Sequence, residues 1–202
     1  CRSALLAGDT VAVEKFLALL EGAVARQVSY GVWIRAYRGE MLIRQGHAEP
    51  GSRLLGMALT ELPKSAFHTH YLSFRVALAQ AFAQTGQTDQ ALKETEDALA
   101  LAERTEERWL VSELLRIKGE VLSAGRMSDA AEEAFLLSLD WARRQGALSW
   151  ELRTGTSLAR LWTERGNTAG AFALLSEVYA RFTEGFETGD LIEAAGLLDS
   201  YR

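Results

Sequence analysis

Few side chains in this sequence have the chemistry to hold a metal or attack a substrate. There are three histidines, His47, His68 and His70, and one cysteine, Cys1. His68 and His70 are two positions apart, which on a helix turns them about 200° from each other, so they cannot share a metal. Both are expected at the exposed start of a helix beside Tyr71, and His47 in an exposed turn. Cys1 has no histidine or basic cluster near it in sequence to activate its thiol, and a single cysteine excludes a disulfide framework or a cysteine-based zinc or iron–sulfur site. The carboxylates Glu94, Glu96, Asp97, Glu106, Glu107, Glu132 and Glu133 are interleaved with Lys and Arg, as on a solvated helix surface. Neither Gly-x-x-x-x-Gly-Lys-Ser/Thr nor Gly-x-Gly-x-x-Gly occurs, so no phosphate-cradling loop is expected. No catalytic residue, cofactor or metal is therefore assigned. The arginines offer more, because a guanidinium makes bidentate contacts to carboxylate or phosphate; Arg116, Arg153 and Arg160 are the candidates.

What could position such side chains follows from composition. Ala and Leu occur 31 times each among 202 residues, against 13 Val plus Ile and two Pro. Ala and Leu lose little on entering a helix, whereas β-branched residues fill strands, so the chain is expected to be all-α. Four small residues, Gly39, Ala79, Gly119 and Ala159, stand 40 positions apart. Three residues after each comes a bulky apolar one: Leu42, Phe82, Leu122 and Trp162. Seven residues after comes a turn (Gly46, Gly86, Arg126 preceded by Gly125, and Gly166), and twelve after a second small residue (Gly51, Ala91, Ala131, Ala171). Leu55, Thr95, Phe135 and Leu175 continue the pattern, as do Ala58, Ala98, Ser138 and Val178.

Such a unit reads as two amphipathic helices joined by a tight turn. The small residue lets the second helix cross closely, the bulky residue fills the space beside the crossing, and glycine ends the first helix in the left-handed conformation. Asp89, Asp129, Ser128 and Thr168 are expected to cap the second helices. Helices are placed at 27–45 and 48–61, 66–85 and 88–103, 107–124 and 128–145, 148–165 and 168–182. Residues 10–23 form the second helix of an earlier, truncated repeat, Pro63 closes the first complete one, and 188–200 form a capping helix. Repeats at 27–65, 66–105, 106–146 and 147–183 with a cap at 188–201 make a right-handed α-solenoid, read as a single continuous domain. The chain opens on Cys1-Arg2-Ser3 without Met and reads as part of a longer polypeptide. No apolar run nears the roughly 20 residues needed to span a bilayer and no secretory leader is visible, so a cytoplasmic location is expected.

One pair of helices cannot bury its apolar face alone, so the repeats stack and their first helices line a groove. By register that groove receives Trp33, Ala36, Glu40 and Arg44, then Ser73, Val76, Gln80 and Gln84, then Glu113, Arg116 and Glu120, then Arg153, Thr156, Arg160 and Glu164. Mixed charge with amides and one aromatic suits a peptide or protein segment. The alternative is that Glu113, Glu120 and the arginines pair with one another across adjacent repeats. Trp109, Trp141, Trp150 and Trp162 are expected to pack between helices. The Gly-rich segment 181–191, with Phe182 and Phe186, is the other candidate binding site, although its aromatics are expected to tuck under the last helix pair. The formal net charge of −5 lies wholly in residues 101–202, with 12 basic and 17 acidic side chains, which argues against nucleic acid as partner.

The small–bulky–glycine–small–bulky–Ala pattern resembles tetratricopeptide repeats with helices longer than usual. Residues 113–120 (ELLRIKGE), 142–153 (ARRQGALSWELR) and 156–162 (TSLARLW), with Phe182-Thr-Glu-Gly-Phe186 and Asp190-Leu191, resemble the carboxyl-terminal tail of bacterial multidomain signalling proteins. Those join a class III nucleotidyl cyclase or a winged-helix transcriptional regulator to a STAND-type (AP-ATPase-like) NTPase. The resemblance implies a sensory or scaffolding tail and not the catalytic part; with the groove it leads to the expectation of a non-enzymatic interaction and regulatory module that binds a protein or peptide segment or the parent's own NTPase domain. A small-molecule sensor and a structural oligomerisation arm are its rivals. The Lys and Asn with which some such repeats clamp a chaperone tail are replaced here by Ala36, Val76, Arg116 and Thr156 and by Glu40, Gln80, Glu120 and Arg160, so that clamp is not expected.

Overall fold

In a computed structural model the described residues are 4–5, 9–24, 30–62 and 68–201, the side chains of 23, 24, 30, 68 and 69 excepted. Cys1, Pro63, the side chain of His68 and the expected helix starts at 27–29 and 66–67 lie outside them. The described residues are all-α: α1 (Thr10–Val24), α2 (Tyr30–Arg44), α3 (Ala48–Glu61), α4 (His68–Gln84), α5 (Thr88–Thr105), α6 (Val111–Ala124), α7 (Ser128–Arg144), α8 (Leu148–Glu164), α9 (Thr168–Tyr179) and α10 (Gly189–Ser200). They fall into two compact units, Cys1–Glu107 and Arg108–Arg202. Each is a stack of antiparallel helix hairpins, α2–α3 and α4–α5 in the first, α6–α7 and α8–α9 in the second.

The hairpins pack as their small residues dictate. A Cβ added at Gly39 would lie 2.8 Å from the Leu55 amide nitrogen, and one at Gly51 would lie 2.8 Å from the Gly39 carbonyl oxygen. Here α2 and α3 meet backbone to backbone. The equivalent residues Ala79, Ala91, Ala131, Ala159 and Ala171 are completely buried, and a Cβ on Gly119 would fall 2.5 Å from the Phe135 ring. Leu55, Phe135 and Leu175 fill the space beside these crossings.

Each hairpin turn closes in one way. The amide after the left-handed residue donates to the carbonyl of the bulky residue five positions earlier: His47 to Leu42 (2.8 Å), Gln87 to Phe82 (2.9 Å), Met127 to Leu122 (2.9 Å) and Asn167 to Trp162 (2.8 Å). This is the Schellman arrangement, which needs positive φ at the residue between. Gly46, Gly86 and Gly166 supply it with φ of +87°, +73° and +82°. In the third hairpin the glycine is one position early, and Arg126 itself takes φ +59°.

Two expectations need correction. The N-caps are His47, Gln87, Met127 and Asn167, and of these Asn167 alone bonds through its side chain, accepting from the Gly170 amide at 3.1 Å. The turn is so tight that Asp89, Ser128, Asp129 and Thr168 already stand inside the first helical turn, where Asp89 and Asp129 favour the positive end of the helix dipole instead. Helix α6 is also preceded by a separate 3-10 turn, Arg108–Leu110, and α9 stops at Tyr179 rather than 182, before the turn that Gly185 makes at φ +78°.

Denaturant unfolding should separate these roles. Gly39→Ala and Gly51→Ala are each expected to destabilise by about 1–3 kcal/mol through backbone overpacking. Gly56→Ala, with nothing within 4 Å of the added Cβ, is expected to be neutral or to stabilise by up to about 1 kcal/mol. Arg126→Gly should stabilise by on the order of 1 kcal/mol, since it relieves a left-handed non-glycine residue.

Candidate interaction surface

In the first unit, register puts Trp33, Ala36, Glu40 and Arg44 of α2 beside Ser73, Val76, Gln80 and Gln84 of α4. Half of these are buried. Ala36 and Glu40 are fully buried, and Ser73 and Val76 nearly so. Trp33 is half-buried and packs on the core, with its ring 5.9 Å from that of His70, edge to face, and 6.2 Å from Phe74. Tyr37 completes the cluster, its hydroxyl 3.3 Å from His70 Nδ1 and its ring 5.1 Å from Phe74. His70 therefore serves packing between α2 and α4 instead of standing in solvent. The buried Glu40 carboxylate accepts from Arg44 Nε at 3.3 Å and Nη2 at 3.2 Å, and Arg44 remains partly exposed. Gln80 is half-buried and Gln84 exposed.

Elsewhere in this unit Arg75 joins α4 to Glu94 (2.6 Å) and Asp97 (3.5 Å) on α5. Burial pushes the Glu94 carboxyl above its ordinary range, against the opposing pull of Arg75.

In the second unit the candidate arginines all have carboxylate partners. Arg116 on α6 grips Glu113 with both arms of its guanidinium, Nε to Oε2 at 2.7 Å and Nη2 to Oε1 at 2.8 Å, and a third nitrogen bonds Glu120. Burial alone would lower the Arg116 pKa, but the Glu113 and Glu120 carboxylates outweigh it and the net shift is upward, so the guanidinium stays charged. Ser157 on α8 donates to Glu120 at 3.0 Å. Arg153 on α8 lies 3.8 Å from Glu113 and donates to Asp190 of α10 at 2.6 Å, its guanidinium 5.0 Å from the centre of the Trp150 ring. Arg160, one side chain in this row that stays half-exposed, meets Glu193 of α10 at 2.5 Å. Thr156 is buried and donates to the Leu152 carbonyl, while Glu164 is exposed. The cross-repeat pairing is thus present, and it extends to acidic partners on the capping helix.

Sequence reasoning missed three groups. Asp190 entered only through the resemblance and the segment 181–191, and Glu193 lay in a segment read as a cap. Glu151, 1% exposed in the first turn of α8, is held by Arg143 of α7 (2.8 Å) and by Arg181 beyond α9 (2.6 Å). Partners eight and thirty residues away leave no local signal. Ser112, Ser138 and Thr154 form a buried hydroxyl cluster where α6, α7 and α8 meet, with Ser138 donating to the Ser112 carbonyl at 2.7 Å and lying 2.8 Å from the Thr154 hydroxyl. Its signal was visible: Ser138 takes the register position of Ala58 and Ala98. The indole of Trp162 donates to Glu132 at 2.7 Å, which makes that carboxylate a packing partner instead of plain solvated surface. Phe182 tucks against the last helix pair as expected, whereas Phe186 stays 47% exposed with its ring 6.0 Å from Tyr179.

No group of three or more His, Cys, Asp or Glu among the described residues is placed to hold a metal, and no helix among them is long and apolar enough to cross a membrane. Urea unfolding of Arg116→Ala is expected to show a loss of about 3–5 kcal/mol, because Glu113 stays buried without its bidentate partner. Arg160→Ala, at a half-exposed pair, is expected to change stability by less than about 1 kcal/mol.

No protein-family model matches the chain, and no curated protein matches it. Solved structures do. The kinesin light chain-like protein of Podosopora anserina, with nearly identical TPR-like repeats, superposes with a TM-score of 0.59 at 18% identity over 83% of this chain and 83% of that one. BtubC (BKLC) from P. vanneervenii superposes with a TM-score of 0.66 at 13% identity, over 95% of this chain and 87% of that one. With hairpins of 40-residue period, small residues at the crossings and these structural neighbours, the chain has the TPR-like fold, an α-solenoid of helical repeats.

Proposed function

We propose that this chain is a non-catalytic protein- and peptide-interaction module, the regulatory helical tail of a bacterial multidomain signalling or transcriptional regulator. Its partner is a protein or peptide segment, the parent's own NTPase domain included, met in the cytoplasm without a cofactor. Regulation follows if the partner binds the docked and free states of the tail with different affinity. The observation that carries this reading is the state of the first-helix row. Its interior positions are satisfied by one another, and Arg44, Gln80 and Gln84 in one unit and Arg160 and Glu164 in the other keep polar groups at the surface. The small-molecule sensor fares worse, because Trp33 is packed on His70 and Phe74 and Arg116 is enclosed by its carboxylates. A second reading, an oligomerisation arm joining two copies of the chain, is favoured by α1. Val11, Leu19 and Phe16 lie on one side of that helix at 76%, 64% and 45% exposure.

The test uses the whole chain as bait for lysate and for the separately expressed remainder of the parent. Gln80→Lys with Gln84→Lys, and separately Arg160→Glu, serve as surface variants. Arg116 is a poor probe, since altering it disturbs the fold. At least one variant is expected to weaken capture by about tenfold or more, with unchanged helical circular dichroism. Capture untouched by both would overturn the assignment to this row. A dimer in sedimentation that Leu19→Glu converts to monomer would move the function to the α1 face.

A further inference from the structure

We propose that the face of α8 covered by α10 is an exchangeable docking site for an acidic amphipathic helix of a partner protein, with α10 as its built-in occupant. The proposal rests on the interaction-module reading and names the partner chemistry for the second unit.

Helix α10 lies against α8 in a way that mimics a bound ligand. Leu191, Ala194 and Leu198 form its buried side, in one cluster with Leu152, Ala159, Leu175 and Val178. Asp190 and Glu193 meet Arg153 and Arg160, which stand two helical turns apart on α8. Tyr201, just past the helix, accepts a hydrogen bond from Thr163 at 2.9 Å. Helix α10 starts 41 residues after α8, close to the 40-residue period, and Arg153 faces Glu113 of α6 on one side and Asp190 of α10 on the other, so α10 continues the row of first helices. It is more lightly held than a true first helix. The Arg160–Glu193 pair is half-exposed on both sides, a class of contact that contributes little and is screened by salt. Ile192 on the outer side of α10 is 59% exposed, and the segment joining α10 to α9 contains Gly185 at φ +78° and the exposed Phe186. Short helices with few buried contacts open locally before the rest of a domain does.

The pattern that fits this face is an acidic residue at positions two and five of a helix, with apolar residues at three, six and ten. In α10 these are Asp190, Glu193, Leu191, Ala194 and Leu198. Because α10 is tethered, a partner helix must compete with a high local concentration of the resident one. Contact between a partner and this face is then conditional on release of α10, which makes α10 an autoinhibitory element.

The test compares the full chain with Asp190→Asn/Glu193→Gln, which removes both charges while keeping side-chain shape. The probe is a fluorescein-labelled peptide of residues 187–201 with the natural sequence, followed by anisotropy at low salt; hydrogen exchange reports on the α10 amides. The variant is expected to exchange its α10 amides at least about tenfold faster, to bind the peptide at least about tenfold tighter than the natural chain, and to lose that binding in high salt or with Arg160→Glu added. Should the variant unfold, the same peptide titrated into the natural chain must still speed α10 exchange. Unchanged α10 exchange, faster exchange without peptide binding, or binding indifferent to Arg160→Glu each overturns the proposal. Dimerisation that excludes the peptide gives the site to a second copy's α10 and overturns it as well. Failure here with partner capture still sensitive to Gln80→Lys/Gln84→Lys removes the exchange alone; peptide binding with no such capture removes the general module reading.

Discussion

The distance at which paired helices cross is the constraint on which the rest of this molecule depends. At Gly39 and Gly51 the α2 and α3 backbones touch with no room for a methyl group, and buried alanines or a glycine hold the same place in the later hairpins. Helices that close can be joined only by a very short turn, and a short turn requires a left-handed residue. Three turns meet that demand with glycine. The third hairpin places Arg126 there, so the geometry is imposed by packing even where the local residue resists it.

Close crossing has a second consequence, for polar groups. A first helix packed against its own partner helix and against neighbouring hairpins has few directions left toward water. In α8 the residues from Glu151 to Ala159 are buried with the exception of Arg153. Charged and hydroxyl side chains on such a helix must be satisfied inside the unit, since an ion buried without a partner is costly. That explains the bidentate Glu113–Arg116 pair, the double clamp on Glu151 and the Ser112–Ser138–Thr154 cluster as one phenomenon. Geometry this specific favours one register of helix packing over others, because a shift of one residue would strand several polar groups at once.

The same economy bears on recognition. Arg153 and Arg160 have the chemistry to read carboxylates, and besides Glu113 of α6 the carboxylates that they meet belong to α10. The unit therefore carries an internal example of the kind of surface it can hold, an acidic helix with one apolar side. In the first unit the corresponding row is closed by aromatic packing around Tyr37, His70 and Phe74, and what remains outward is Arg44 with the amides of Gln80 and Gln84.

How much of this was legible beforehand depends on the range of each interaction. Helix class, the 40-residue period, the turn positions and the identity of the small residues are local or periodic properties, and they appear in the chain as composition and spacing. The register also placed Glu40, Arg116 and Thr156 on the first helices of their hairpins. It could not say which members of the first-helix row would stay at the surface, because burial of Glu40, Arg116 or Thr156 depends on how closely neighbouring hairpins approach. Nor could it pair Arg153 with Asp190, thirty-seven residues on, or Glu151 with Arg181, thirty residues on. The sequence by itself determined the repeat, its turns and its close crossings, since each follows from residue size and backbone preference within one hairpin. Only the tertiary structure decided which charges pair with one another and which stay at the surface, because that choice is made between helices that the chain brings together from afar.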